Sequence, residues 1–440
     1  MPKVIIIGGG LAGLAAAAVL GSKDYEVEVF ESRPFLGGRA TSWPVNSDGD
    51  SGELVDNCQH VLMRCCVNLL DFYQRLGVAN SIRFYKEFYF VEPGGRVSTM
   101  SRSALPIPLH LMPSFFSMKC FSFDDKMAIA RGILAIRKER HRPDLDNISM
   151  AEWLGAHRQT PAAIERFWRQ ILVSAINEEL DCMAAAHGFQ VFLQGMLARR
   201  DSYEMGVPSV PLRHLYSDEV WKNVGKVRLR ERSTVTNIET LRGTVVGIRA
   251  GGVLHGADYY LSAVPFERLA PLFPELGLNL KGWEHSPITG IHLWFDRPVT
   301  TMPHATLLDR TIQWMFNKSE GKYLQLVVSA SRSLVEMSRA DVIDLAVREL
   351  AEFFPAVRTA TLERAHVVKE VRATFSARPG MERLRPLPHT SFSNFYLAGD
   401  WTRSGWPATM EGAVRSGYRA AEAIAAGAGR PARFLLPDIG

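Results

Sequence analysis

The chain has 440 residues, of which 47% are hydrophobic and 22% charged, enough for a large core in two domains and too apolar for disorder. Its formal charge of +5 is too diffuse to mark a nucleic-acid footprint, but it is compatible with resting on an anionic membrane surface. The five cysteines, Cys58, Cys65, Cys66, Cys120 and Cys182, are odd in number and lack C-x-x-C spacing, so reduced thiols in a cytosolic protein are expected and a metal site is not.

Lys3-Val-Ile-Ile-Ile7 is a β-branched run suited to a buried parallel strand, and it leads into Gly8-Gly9-Gly10-Leu11-Ala12-Gly13 and an alanine-rich helix through Leu20. With no basic leader before it, the run is expected to be a core strand and not a signal peptide, and no apolar stretch is long enough to cross a bilayer. Gly8 permits the tight turn, Gly10 lets backbone approach a pyrophosphate, and Gly13 lets helix pack on strand. The free N–H groups at Leu11, Ala12 and Gly13 then point at a dinucleotide. A second strand, Val27–Phe30, ends at Glu31, where a carboxylate accepts hydrogen bonds from the adenosine ribose. Ser32-Arg33-Pro-Phe-Leu-Gly-Gly38-Arg39 follows at once and reads as a loop folding back over the same phosphates.

With that G-G-R element the sequence resembles the flavoprotein superfamily of amine oxidases and carotenoid or squalene desaturases, in which such a loop helps hold FAD. The resemblance implies an α/β fold: a Rossmann-like FAD-binding domain with a discontinuous α+β substrate-binding domain of sheet plus helices. Residues 44–53 are turn-rich and expected to form an exposed hairpin or loop. Next comes Asp56-Asn-Cys-Gln-His60-Val-Leu62, polar side chains in an apolar frame. This stretch resembles the hydroxysqualene dehydroxylases, squalene-associated FAD-dependent desaturases, in which it would lie near the flavin ring. Cys58 reads as a small space-filler, since no base accompanies it. His60 is either a hydrogen-bonded structural histidine or the proton donor of the reaction.

Residues 68–76 and 124–140 have helical apolar spacing, and between them 105–121 is apolar yet broken by three prolines. That segment is either a membrane-contacting mouth for a lipid-like substrate, with Arg137, Lys138, Arg140 and Arg142 meeting headgroups, or a buried connection beside a solvated helix. Residues 149–199 read as two or three helices, with Ser149 and Glu152 as a capping box and Pro161 opening the next. Tyr203–Leu212 is a proline-marked return. Strands follow at 227–230, 234–238, 244–248 and 257–264, with Gly251-Gly252 as a hairpin turn. The resemblance would place the Val235 backbone at adenine. Strands 291–295 and 323–328 and a helix over 341–353 suggest a substrate-domain sheet.

Near the C-terminus, strand Asn394–Ala398 ends at Gly399-Asp400, and Pro407-Ala-Thr-Met-Glu-Gly-Ala-Val-Arg-Ser-Gly417 opens a final helix. A carboxylate at a strand end can accept from polyol hydroxyls, and a helix N-terminus can meet a flavin carbonyl. The resemblance makes Gly399 and Asp400 ribityl or pyrophosphate neighbours and puts Thr409, Met410 and Glu411 beside the flavin. Trp401 and Trp406 either face a developing cation or pack the last turn.

Residues 1–67, 206–275 and 389–440 are therefore expected to form the FAD domain, 68–205 a mainly helical substrate- or membrane-facing lobe, and 276–388 the substrate sheet and helix. The implied reaction is reductive dehydroxylation of hydroxysqualene to squalene in bacterial squalene and hopanoid synthesis, a flavin N5 hydride quenching the allylic cation left by water. A carotenoid-type desaturase is the rival enzyme, and a non-catalytic flavin-binding scaffold of an isoprenoid complex the rival of another class. No second dinucleotide fingerprint exists for NADPH, so the electron donor stays open. The expected location is cytoplasmic, with peripheral contact at the inner face of the cell membrane.

Overall fold

The computed structural model describes residues 1–45 and 52–439. At its centre five strands run parallel in the order Val227–Arg230, Glu26–Phe30, Lys3–Ile7, Tyr259–Ser262, Phe395–Leu397. Val4, Ile5 and Ile6 of the middle strand are wholly buried, as a β-branched run covered on both faces must be. Helix Leu11–Gly21 is buried along its whole length, which is why its sequence is alanine-rich all round instead of amphipathic.

The reason lies at the other end of the chain. The last helix, Met410–Gly427, packs across the first, and a Cβ built at Gly417 would run into the Ala12 carbonyl oxygen. Close backbone approach therefore requires glycine there. We expect Gly417→Val to cost about 1–3 kcal/mol or more by overpacking, read by urea unfolding and by loss of flavin absorbance; wild-type behaviour in both would mean that the two helices are not in contact.

The strands Val235–Leu241, Thr244–Ala250 and Val253–His255 form a meander. Gly251 and Gly252, at φ +57 and +79, supply its turn as expected. The turn-rich segment 44–53 is flanked by antiparallel strands Ser42–Val45 and Glu53–Asp56, and its tip lies outside the described residues. The return over 203–212 is more than a connection. Met205–Pro208 pairs with both Leu62–Met63 and Ile82–Tyr85.

A second, seven-stranded sheet runs Leu362–Phe375, His285–Phe295, Tyr323–Ser329, Trp314–Ser319, His304–Leu307, Glu87–Val91, Val97–Ser101. Its last two strands come from the stretch expected to be mainly helical, through parallel pairing of Thr306 with Phe90. Alternation sorts its side chains: Leu293, Leu324 and Leu326 pack against Val342, Ala346 and Leu350 of helix Arg339–Phe353. The opposite face turns toward the FAD-domain segment Asp56–His60 and the helical lobe.

That lobe holds helices Phe123–Lys138, Met150–Ala156, Pro161–Ile176 with one π turn at Ile164–Arg169, and Ala185–Gly195. Trp153, Trp168, Leu172 and Phe192 form its core. Ser149 and Glu152 make both bonds of a capping box. Segment 105–121 contains only a tight turn at Leu109–Leu111 and the short helix Met112–Ser117, as its prolines dictate.

Candidate functional site

The two glycine turns near the N-terminus lie backbone on backbone. Gly37 N–H donates to the Gly9 carbonyl at 2.8 Å, and a Cβ on Gly38 would stand 3.0 Å from the Gly10 Cα. Gly8 has φ +108, and a Cβ on Gly13 would strike the Gly8 carbonyl, so these two glycines answer distinct steric demands, whereas a Cβ on Gly10 would meet nothing closer than the Gly38 Cα at 3.8 Å. Gly10 is the N-cap of helix Leu11–Gly21 and has no side chain to cap it. The first N–H groups of that helix, from Leu11, Ala12 and Gly13, thus remain for an anion.

Glu31 closes the second strand. Its Oε2 accepts from Gly9 N–H at 2.8 Å, and its Oε1 accepts from Arg33 N–H at 2.8 Å and Ser32 Oγ at 3.1 Å. Three of roughly four acceptor positions are used, which leaves room for a ribose hydroxyl. Arg33 Nη1 donates to the Gly38 carbonyl at 3.2 Å, bracing the second loop on itself. Ser233 N–H donates to the Glu31 carbonyl at 2.8 Å, bringing the start of the strand at Val235 beside the ribose acid.

Arg39 and Asp400 come from opposite ends of the chain and meet at 2.6 Å. Burial works against the Arg39 charge, but Asp400, together with Glu267 and Glu370, outweighs it and holds the guanidinium pKa above its ordinary value. Gly399 N–H donates to Ser416 Oγ at 2.9 Å, so the turn before Asp400 is pinned to the last helix. Thr409 caps that helix by accepting from Gly412 N–H at 3.0 Å. The Met410 sulfur lies 4.0 Å from the Tyr73 hydroxyl.

Glu411 is placed differently from the expectation of a side chain beside the flavin. Its buried carboxylate accepts from Asn68 Nδ2 at 2.9 Å and Leu69 N–H at 2.8 Å, capping helix Val67–Arg75. What it offers a cofactor is therefore its backbone N–H in the first helical turn. Trp401 and Trp406 are packing residues: their indole N–H groups donate to the Val264 carbonyl at 3.1 Å and Asp438 at 3.2 Å.

The Asp56–His60 stretch is braced from both sides. Asp56 Oδ1 accepts from Ser42 Oγ at 2.7 Å and Leu212 N–H at 2.9 Å, while Lys318 Nζ stands 3.5 Å from Oδ2 and donates to Gln59 Oε1 at 3.0 Å. Across the seam, a Cβ on Gly290 would come 2.8 Å from the Asn57 carbonyl. Cys58 packs against Met205, Phe316 and Val327, and burial pushes its thiol up to about 12, which makes it a space-filler and no nucleophile.

His60 shares Nδ1 with the Cys58 carbonyl at 2.9 Å. A carbonyl only accepts, so Nδ1 carries the hydrogen and Nε2 the lone pair. Burial lowers the ring's pKa, and nearby Arg39 and Lys318 oppose charging further, against the Cys58 carbonyl and Asp56.

Several contributors escaped the sequence. His292, Gln325, Phe316 and His304 sit opposite one another on successive strands, so their side chains share the sheet face that meets Asp56–His60. Gln325 Oε1 and Asn57 Oδ1 are buried without a partner among the described residues. Lys318, Gln325 and Gly290 lie more than 200 residues from Asp56, in segments whose pattern reads only as strand, and no local signal assigns them.

Together the bare glycine backbone, the uncapped helix start, the acid at the second strand and the paired Arg39 and Asp400 fit a dinucleotide. Comparisons with known proteins agree with that geometry. Residues 11–425 match the family model for flavin-containing amine oxidoreductases. A probable zeta-carotene desaturase of Synechococcus elongatus is 28% identical, with 96% of this chain and 98% of the relative covered. A 15-cis-phytoene desaturase of the same organism is 25% identical, with 96% of each chain covered. Among solved structures, an oxidoreductase from Methanosarcina mazei shares the fold with a TM-score of 0.72 at 21% identity, over 94% of this chain and 98% of the other.

Proposed function

The chain belongs to the flavin-containing amine oxidoreductase family with FAD as its cofactor, and from that premise we propose that it acts on a long isoprenoid, removing the hydroxyl of hydroxysqualene to give squalene. The observation that carries this reading is the mixed character of the wall beyond the glycine cradle. Aromatic and aliphatic side chains such as Phe316, Val327 and Trp314 are interrupted there by the unpartnered amide oxygens of Asn57 and Gln325 and by His60. A hydrocarbon offers such acceptors nothing, whereas an allylic alcohol donates to them.

The relatives named above are a probable zeta-carotene desaturase and a 15-cis-phytoene desaturase, which supports an isoprenoid substrate. The D-N-C-Q-H-V-L and P-A-T-M-E-G-A-V-R-S-G stretches support the dehydroxylase within that class. Reduced FAD supplies the hydride that replaces the lost hydroxyl. The chain's own residues do the rest: the apolar wall positions the isoprenoid and excludes water, the amide oxygens orient the hydroxyl, and His60, once protonated at Nε2, gives the proton with which the hydroxyl leaves as water.

A second reading, desaturation of a polyene, is favoured by the lowered pKa of His60, because a neutral ring with a free Nε2 lone pair accepts a proton. Anaerobic incubation of photoreduced holoprotein with hydroxysqualene separates them. Flavin reoxidation with stoichiometric squalene is the expected result. Bleaching of oxidised flavin by phytoene, with no response to hydroxysqualene, would replace the proposal by the second reading, and silence toward both would leave a flavin-binding scaffold.

A further inference from the structure

The outer surface of the helical lobe carries apolar side chains that no part of the described chain covers. On helix Phe123–Lys138, Phe123 is 70% and Leu134 61% exposed. At 3.6 residues per turn, Phe123, Met127, Ala130 and Leu134 fall along one line. Lys126 and Arg137 run along one side of that line and Arg131 and Lys138 along the other, with Asp124 beside Arg131 on that second side, about 20° further round. The adjoining loop adds Leu105, Ile107, Leu109 and Met112, each about two-fifths exposed. Lys126 Nζ joins helix to loop segment through the Phe116 carbonyl at 2.8 Å.

The loop is held in place and does not merely fray outward. Ser103 donates from N–H and Oγ to the His110 carbonyl at 2.7 and 3.0 Å, and Leu109 N–H donates to the Pro106 carbonyl at 2.8 Å. Arg200 Nη2 donates to the Ser103 carbonyl at 2.9 Å, and Arg102 and Lys119 stand exposed nearby. Inward, the His110 ring packs on Tyr203, Tyr203 on Phe88, and Phe88 on Trp314, with centroids 6.1, 6.1 and 6.3 Å apart. The patch is thus three aromatic layers from the sheet face that meets His60.

We propose that this face, loop 105–112 with the outer line of helix Phe123–Lys138, docks on an anionic phospholipid bilayer. An apolar line between two cationic rails is the pattern of a helix lying in the interface, aliphatic groups among the acyl chains and ammonium and guanidinium groups at the phosphates. A protein partner fits less well, because lysine is depleted from protein–protein interfaces. Of the cations expected to meet headgroups, Arg137 and Lys138 belong to the rails, whereas Arg142 is engaged by Asp144 at 2.6 Å and Glu139 at 3.3 Å.

Vesicle sedimentation of the full-length holoprotein tests this independently of turnover. Binding to phosphatidylcholine vesicles containing phosphatidylglycerol is expected, weakening with salt and with phosphatidylcholine alone. The pairs Phe123→Glu with Leu134→Glu, and Arg131→Glu with Lys138→Glu, should each lower the bound fraction by about tenfold. Both pairs are exposed, so flavin absorbance and unfolding midpoint should be retained. Absent binding to the anionic vesicles at low salt, variants that bind like wild type, or lipid-free self-association lost in the same variants would overturn the proposal, and none of these bears on the redox assay above.

Discussion

Lowering the pH from 7 toward 4.5 is expected to unfold the protein, and the cause is a set of histidines that the fold keeps neutral. Burial lowers His187 and His292 to about 3 and His304 to about 4. His304 is the clearest: it sits within 5 Å of the Tyr85 ring and beside Phe88 and Phe316, with neither ring nitrogen partnered among the described residues. In the unfolded chain these groups titrate near 6.5. Between that value and their folded ones, the unfolded state binds three protons that the folded state does not, so stability falls as pH falls. The slope is about 1.4 kcal/mol per pH unit for each histidine, or roughly 4 for the three. Against a typical total of about 5–15 kcal/mol, two to three pH units suffice. Glu411, Asp146 and Glu231, whose carboxyls burial pushes up, work in the opposite direction to the histidines. Urea unfolding at a series of pH values would show this slope, and His304→Phe should remove about a third of it. A midpoint that stays level between pH 7 and 5 would mean that these rings are not neutral in the native state.

On the proposed dehydroxylation, His60→Ala is expected to lower turnover of hydroxysqualene by about 10²-fold or more, the usual scale for losing a positioned acid or base, while FAD stays bound. Retention follows from position: the residues proposed to cradle the cofactor are Gly8–Gly13, Glu31–Arg39 and Gly399–Glu411, and among the described residues the His60 ring bonds only to the Cys58 carbonyl. The pH profile carries more information than the rate. Because the folded pKa of His60 lies below 6.5, the ring is mostly neutral at pH 7. If it gives up a proton from Nε2, turnover should climb as pH drops toward that lowered pKa. If it accepts one, as in desaturation, turnover should decline over the same range. In either case the alanine variant should lose that limb, and a variant with an intact limb and near-full turnover would remove His60 from the chemistry and leave it a structural histidine.

The seven-stranded sheet shows how far local pattern reaches. Its apolar alternation announces strands at 291–295 and 323–328, and these exist, extended to His285–Phe295 and Tyr323–Ser329. Nothing in Glu87–Ser101 tells a reader that its hairpin will add to the edge of that sheet, because strand partners are chosen by tertiary contact and not by propensity. The same limit explains Glu411. Its place in a flavin-like motif is legible, but its carboxylate is claimed by helix Val67–Arg75, more than 300 residues earlier.

What the sequence by itself determined is the cofactor cradle. Gly8, Gly10, Gly13, Glu31 and Gly38 act through backbone conformation and short-range geometry, and such demands are written into residue type and spacing. What only the tertiary structure decided is the company those residues keep: Arg39 with Asp400, Gly417 against Ala12, Lys318 and Gln325 against Asp56. Each pair joins segments more than 250 residues apart, and the apolar burial that brings such segments together is non-directional, so no short stretch of sequence specifies which polar groups will meet across the seam.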